Sequence, residues 1–342
     1  MERVPGFHLS DGWWQSFAAA YSELPVRSVD LPCGRVRVIE ATDCIGPIRF
    51  RSLQSATNLQ TCYFDVEEGR DPAGALGALP ERLFEEGPAA QLRFDWLRED
   101  SRLLKAAEGW AERFPVIIER HALSPVVDCR TSFEDYLARS GKSVRKYWRT
   151  CRREVLDRGS LTVEFVGGGP RLGEILQEML ELEASGWKGR NGTAILDNPS
   201  DTQFYTRLAF AAAEAGALRL ALLREGERVV AFEYCIVSEG VVMAMKVGYD
   251  ETRARLQLGH LIALLNIRDA CGRADLKYYD MLSNSLRIAD YKKRFATDCW
   301  PVYRVRLFAP TLIGRSLQAA FRGRLQLKAL RKRLRGLREP RA

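Results

Sequence analysis

The sequence predicts an α+β (mixed α/β) chain built around a central, largely antiparallel sheet, and three observations carry that expectation. Residues 217–224, 228–237 and 241–248 are strand-like runs separated only by Glu225-Gly226-Glu227 and Ser238-Glu239-Gly240. Turns that short join antiparallel neighbours, so the three runs read as a meander. Helical segments with recognisable start and stop residues stand on both sides of it. Hydrophobic residues make up 46% of the 342, enough to bury one large core or two smaller ones.

The elements follow in order. Ser10 or Asp11 caps a helix running to about residue 22. Residues 34–40 alternate apolar and polar as a half-buried strand does, residues 90–96 and 114–119 are shorter strand candidates, and 101–112 is helical. Gly and Pro punctuate loops near 71–79 and at Gly87-Pro88. Thr131 and Glu134 fit a capping box before a helix rich in Arg and Lys, which Gly159 ends. A strand at 161–166, a helix at 170–187 and another begun by Asn198-Pro199 and closed by Gly216 lead into the meander. A helix at 258–271, a strand at 276–282, a short helix at 286–295 and a strand at 302–308 complete the order. These elements divide the chain into 1–130, 131–310 and a tail, 311–342.

Charge and composition exclude several classes. The net charge is +8, yet ten Lys/Arg and one acid lie between Arg315 and Ala342, so the tail carries more than the whole excess and the rest of the chain is close to neutral. A near-neutral body argues against nucleic-acid binding there. The eight cysteines form no CxxC pair, and the three histidines are far apart, so no metal is expected. A Cys–His pair assembled only by the fold stays open. No spanning segment or secretory signal is read, which leads to an expected cytoplasmic location. Apolar residues recur through the tail at three- or four-residue spacing among cations. That pattern suits peripheral contact of 315–338 with the inner face of a membrane, RNA contact, or docking on the body.

Four stretches, in this order and spacing, resemble the GNAT superfamily, and more narrowly its CelD/BcsL-like acetyltransferases, allied to the FemABX aminoacyl transferases. They are Ser143-Val144-Arg145-Lys146-Tyr147-Trp148-Arg149, then 182–189 ending in Trp187-Lys188-Gly189, then 253–260, and finally Asp280-Met281-Leu282 with Asp290-Tyr291-Lys292-Lys293-Arg294-Phe295. The resemblance implies a GNAT-type acyltransferase fold with a mixed sheet, in two tandem GNAT-like halves of which the first is degenerate. It implies transfer of an acetyl or acyl group from acyl-CoA, without a metal, to an amine or hydroxyl of a small-molecule or saccharide acceptor. Exopolysaccharide or cell-envelope synthesis is the implied setting. Aminoacyl-tRNA as donor, and a non-catalytic scaffold on a membrane-associated assembly, are the alternatives.

The resemblance also nominates residues. Met245, Lys246 and Val247 would lie on the strand that seats the pantetheine arm of acetyl-CoA. Arg253, Arg255, Leu258, Gly259 and His260 would form the loop and helix start that meet its pyrophosphate, where unpaired N–H groups and the helix dipole favour an anion. This loop has one glycine where the family's pattern has two. Lys246 and Glu233 each interrupt an apolar run, which is costly unless each charge is paired. Either the two pair with each other, or Glu233 is a general base. Tyr291 would protonate the departing thiolate, and Lys292, beside Asp280, would steady an oxyanion or pair with Asp280. Trp187 and Lys188 would line the acceptor cleft or merely cover the core edge.

Overall fold

The computed structural model describes residues 6–69, 76–153, 159–283 and 285–336. The chain folds as two compact units, each drawn from two stretches of sequence. One holds Met1–Leu24 with Ala122–Pro301, the other Pro25–His121 with Val302–Ala342. The sequence-based division at 130 and 310 differs from this at both ends. The N-terminal helix Asp11–Ala20 lies in the first unit because its apolar face needs a partner there. Trp13 is fully buried edge-on against Phe204, 5.4 Å between centroids, and the Tyr21 hydroxyl donates to Asp201 at 2.6 Å. Residues 71–75 of the loop read at 71–79, residues 154–158 of the basic helix read up to Gly159, and the tail's end at 337–342 lie outside the described residues.

In the first unit the sheet order is Thr162–Val166, Leu218–Glu225, Arg228–Ser238, Val241–Tyr249, Tyr278–Asp280 and the C-terminal end of Val116–Asp128. The meander is antiparallel, as its two short turns require. Tyr278–Asp280 then runs parallel to Val241–Met243, after a crossover through the helix Leu258–Cys271. That helix is buried along most of its length, with Leu261, Leu264, Leu265 and Ile267 fully enclosed against Ala221, Ala231 and Val242. Helices Leu172–Ser185 and Pro199–Glu214 precede the meander, the second capped by the Asn198 side chain and opened by Pro199 as predicted.

Several boundaries moved. The cap of the helix after residue 130 is Ser132, whose hydroxyl accepts from the Asp135 N–H at 3.1 Å, one residue later than the predicted Thr131 box. As far as Cys151 the basic segment is two helices, Phe133–Arg139 and Lys142–Cys151, because Ser140 and Gly141 are both extended. The predicted strand at 276–282 is only Tyr278–Asp280, and the helix at 286–295 only Asp290–Phe295.

The second unit's sheet contains Val26–Leu31, Gly34–Ile45, Ile48–Ser55, Gln91–Arg98 and the end of Asp298–Phe308. Val26–Leu31 and Ile48–Ser55 are strands the sequence reading missed, since the consecutive polar pair Arg27-Ser28 interrupts the first and the buried polar residues Ser52, Gln54 and Ser55 interrupt the second. One face carries an ionic network: Asp95 accepts from Arg93 at 2.9 Å and from Arg304, while Arg306 bonds Glu119 at 3.2 Å. These charges are partly buried but mutually paired, which is how such groups become tolerable in an interior.

Candidate active site

The site starts where two neighbouring strands part. Val241, Val242 and Met243 pair with Tyr278, Tyr279 and Asp280, and the pairing stops there. Asp280 is the cause: its carboxylate accepts the Leu282 N–H at 2.9 Å, closing a tight turn in which Leu282 takes a left-handed φ of 44°. The chain leaves the sheet, while the other strand continues through Ala244 to Tyr249 with that edge no longer paired to Tyr278–Asp280. Residues 244–247 are accordingly half-buried, after three buried ones.

A second irregularity lies on the same strand. Ala244 pairs with Cys235, but Lys246 pairs with Tyr234, so Met245 is an extra residue, a β-bulge. Regular pairing would set Lys246 directly opposite Glu233. The bulge shifts it by one, and because successive residues face opposite sides of a sheet, Lys246 and Glu233 end on different faces. Of the two readings of these charges, the Glu233–Lys246 ion pair is therefore not formed.

On one face, Glu233 is buried with both carboxylate oxygens bonded. The Tyr279 hydroxyl lies 2.7 and 2.9 Å from them, and Asn266 Nδ2 donates at 2.9 Å. Asn266 is held by Arg219, whose Nε donates to its Oδ1 at 2.8 Å and whose Nη2 meets Asp269 at 2.7 Å. Burial raises the Glu233 carboxyl above its ordinary value against the pull of these hydrogen bonds and of Lys292. Burial likewise pushes the Tyr279 phenol well up, with the Glu233 charge adding to it.

Asp280 is fully enclosed and accepts from Ser124 Oγ at 2.5 Å. Lys292 donates to the carbonyls of Met281 and Leu282 at 2.7 and 2.5 Å. Burial lowers its ammonium below the ordinary value, and the charges of Asp280 and Glu233 oppose that. Two of its three donors thus serve the turn that ends the strand. Tyr291 stacks on His260, 5.4 Å between centroids, and burial raises its phenol to about 12.

The other face carries Lys246, whose Nζ sits 5.2 Å from the centre of the Tyr205 ring. Burial, and then the Lys188 charge, hold it below its ordinary value. Lys188 donates to buried Glu183 at 2.6 Å and to the Val247 carbonyl at 2.9 Å, fastening the segment after residue 186 to the parted strand. Trp187 is 47% exposed, and its backbone N–H donates to Glu251 Oε1 at 2.7 Å. Gly189 is required by packing: a Cβ there would lie 1.9 Å from the Ala184 carbonyl oxygen.

The helix Leu258–Cys271 starts at the predicted residue, with Leu258 buried, after Gln257 in a left-handed conformation and without a side-chain cap. Arg253 is engaged by Glu225, with a 2.7 Å contact, whereas Arg255 is exposed. The space that a side chain at Gly259 would need is taken by the Tyr249 ring, 2.8 Å from a Cβ built there. His260 lies among Tyr147, Tyr291 and Phe295, its Nδ1 3.1 Å from Gln257 Oε1.

Burial, reinforced by Arg294, depresses the His260 pKa below its ordinary 6.5. Below pH 6.5 the unfolded chain takes up a proton that the folded imidazole refuses, so this group costs stability as pH falls from 6.5 to its folded pKa. A His260→Asn variant is expected to lose less stability than the parent between about pH 7 and about pH 5. Urea melts at both pH values check this; equal losses would refute it.

Sequence reasoning missed Tyr279, Asn266 and Ser124. Tyr279 sits next to Asp280 in an apolar strand, and Asn266 interrupts the apolar face of a buried helix, which was the available signal. Among the described residues no group of His, Cys, Asp and Glu is placed to hold a metal ion.

Residues 142–293 match the model of the acetyltransferase (GNAT) domain family. No curated protein matches the chain in sequence. Among solved structures, FemX aligns over 90% of this chain and 93% of its own, with TM-score 0.59 and 9% identity. A conserved protein of unknown function from Bacteroides thetaiotaomicron VPI-5482 aligns over 90% and 93%, with TM-score 0.58 and 16% identity. The C-terminal DUF2156 domain of a putative lysylphosphatidylglycerol synthetase from Agrobacterium fabrum aligns over 90% and 91%, with TM-score 0.54 and 13% identity. The fold is of the GNAT type, and its segment 142–293 is similar in sequence to the acetyltransferase (GNAT) domain family.

Proposed function

We propose that the protein transfers an acyl group from an acyl-CoA thioester to an amine or hydroxyl, with the parted strand as its donor seat. The observation that carries this reading is the loss of pairing beyond Met243 and Asp280. It turns the edge of residues 244–249 into a row of backbone groups that an amide-bearing pantetheine arm matches as a missing strand would. The uncapped start of Leu258–Cys271 and exposed Arg255 suit the pyrophosphate. An acceptor of saccharide or other small-molecule chemistry, and a place near the CelD/BcsL-like acetyltransferases of envelope or exopolysaccharide synthesis, belong to this reading.

In the reaction the acceptor's nitrogen or oxygen attacks the thioester carbonyl, the C–S bond breaks, and the acceptor's proton must leave while the thiolate gains one. Glu233, raised toward the working pH by burial, takes the acceptor's proton through the Tyr279 hydroxyl that lies on it. Tyr291, protonated throughout the neutral range, supplies one to the thiolate. No covalent enzyme intermediate is needed, so positioning and charge stabilisation are the protein's share.

Aminoacyl-tRNA is the second donor reading, favoured by one contact: Lys188 already occupies the Val247 carbonyl on the parted strand. Isothermal titration with acetyl-CoA, paired with a thiol-release assay over an acceptor panel, separates the two. Acetyl-CoA binding with CoA release is expected. Binding of tRNA without acetyl-CoA would replace the first reading by the second, and binding of neither would leave a non-catalytic scaffold.

A further inference from the structure

The helix Leu312–Gly336 has two apolar stripes, and the fold uses only one. Leu317 and Phe321 are buried against Ile45, Phe50, Ile117 and Phe308, with Leu325 beside them. At about 100° per residue, Leu312, Ser316, Ala319, Gly323, Leu327 and Leu330 fall on the opposite side within an arc of about 80°. The large members of that second stripe stand in solvent: Leu312 is 85% exposed, Leu327 57% and Leu330 53%, with Ile313 at its margin 68% exposed. A docked surface helix has no folding reason for such a stripe, since burial of the first already holds it to the sheet.

The charges are arranged about this stripe. Arg315 and Arg322 lie along one edge of it and Arg324 beyond the other, while Lys328 is in line with Leu317 and Phe321 about two to three turns further on; all four are exposed. From Leu312 to Gly336 there are eight Lys/Arg and no acid. Apolar side chains bordered on both sides by long cationic ones fit a boundary between hydrocarbon and phosphate, the cations reaching outward as the leucines sink. No helix among the described residues is long and apolar enough to cross a membrane.

We propose that this helix lies in the plane of an anionic lipid surface, with Leu312, Leu327 and Leu330 in the headgroup–acyl boundary and its exposed Arg and Lys on lipid phosphates. The proposal is independent of the acyl-transfer reading. A protein groove would equally bury the leucines, but eight cations without a single acid along the helix match a continuous anionic plane better than a mixed protein surface.

Co-sedimentation of the full chain with phosphatidylglycerol-containing and pure phosphatidylcholine vesicles tests it. Binding to the anionic vesicles alone is expected. It should weaken about 10-fold or more in a Leu327→Glu/Leu330→Glu variant, and several-fold on raising NaCl from about 0.1 to about 0.5 M. Both leucines are exposed, so the variant should keep the parent's circular dichroism and melting point. Arg324→Gln/Lys328→Gln should weaken anionic binding in the same assay. Absence of binding, or binding indifferent to the leucine variant, overturns the proposal. So does binding of a model RNA that depends on the cations but not on the leucines, or a dimer in gel filtration that the leucine variant dissolves.

Discussion

Glu233→Gln is expected to lower turnover by about 10²- to 10⁴-fold, the usual worth of a positioned general base, while the protein remains folded. Glutamine fills the same space, and its amide oxygen still accepts from the Tyr279 hydroxyl or from Asn266, so the buried cluster loses a charge rather than its shape. What it cannot do is take a proton. The pH profile supplies a second, separable readout. The active form is the carboxylate, whose pKa burial raises above 4.5, so the parent's activity should fall as pH falls through that raised value. The acid limb should be missing from whatever activity the variant keeps. Steady-state rates across pH, with a thermal melt as the folding control, decide it; an unchanged rate in a folded variant would remove Glu233 from the mechanism.

Asp280→Ala is expected to destabilise the first unit by about 3–5 kcal/mol, the range for breaking a buried charged cluster by deleting one partner. The side chain is fully enclosed, and it satisfies the Ser124 hydroxyl and the Leu282 N–H at once. Its charge also offsets that of Lys292, an ammonium that burial already disfavours. Alanine would orphan both donors, leave Lys292 less compensated, and release the turn that ends Tyr278–Asp280. Asp280→Asn keeps an acceptor oxygen for Leu282 and should cost less, about 1–3 kcal/mol. Urea unfolding with the midpoint and slope compared across the three proteins measures both. A loss below about 1 kcal/mol for the alanine variant would show that the cluster does not hold the turn.

Where local pattern and tertiary burial agree, the sequence reading and the structure coincide. The helix Leu258–Cys271 was legible at both ends, because a polar loop precedes it and Gly272 follows. The meander was legible because its turns are too short for any other connection. Val26–Leu31 and Ile48–Ser55 were not, since adjacent polar residues in the one and buried Ser52, Gln54 and Ser55 in the other obscure the two-residue period. The helix Asp11–Ala20 was read correctly as a helix but assigned to the wrong unit. Nothing in Trp13, Trp14 or Phe17 says which sheet's helices they will meet.

The candidate site divides in the same way. By itself, the sequence determined that Glu233 and Lys246 are charges in apolar, strand-like runs, and that Asp280 ends a strand with Lys292 following it closely in the chain. It also carried the order of elements that makes the domain GNAT-like. Only the tertiary structure decided which charges meet. One extra residue at Met245 turns Lys246 toward Tyr205 and leaves Glu233 to Tyr279 and Asn266. One carboxylate folded back on its own turn parts two strands. A bulge is a mismatch between two strands and a parting is a pairing that stops. Both are properties of register between distant segments, and neither strand's residues encode them alone.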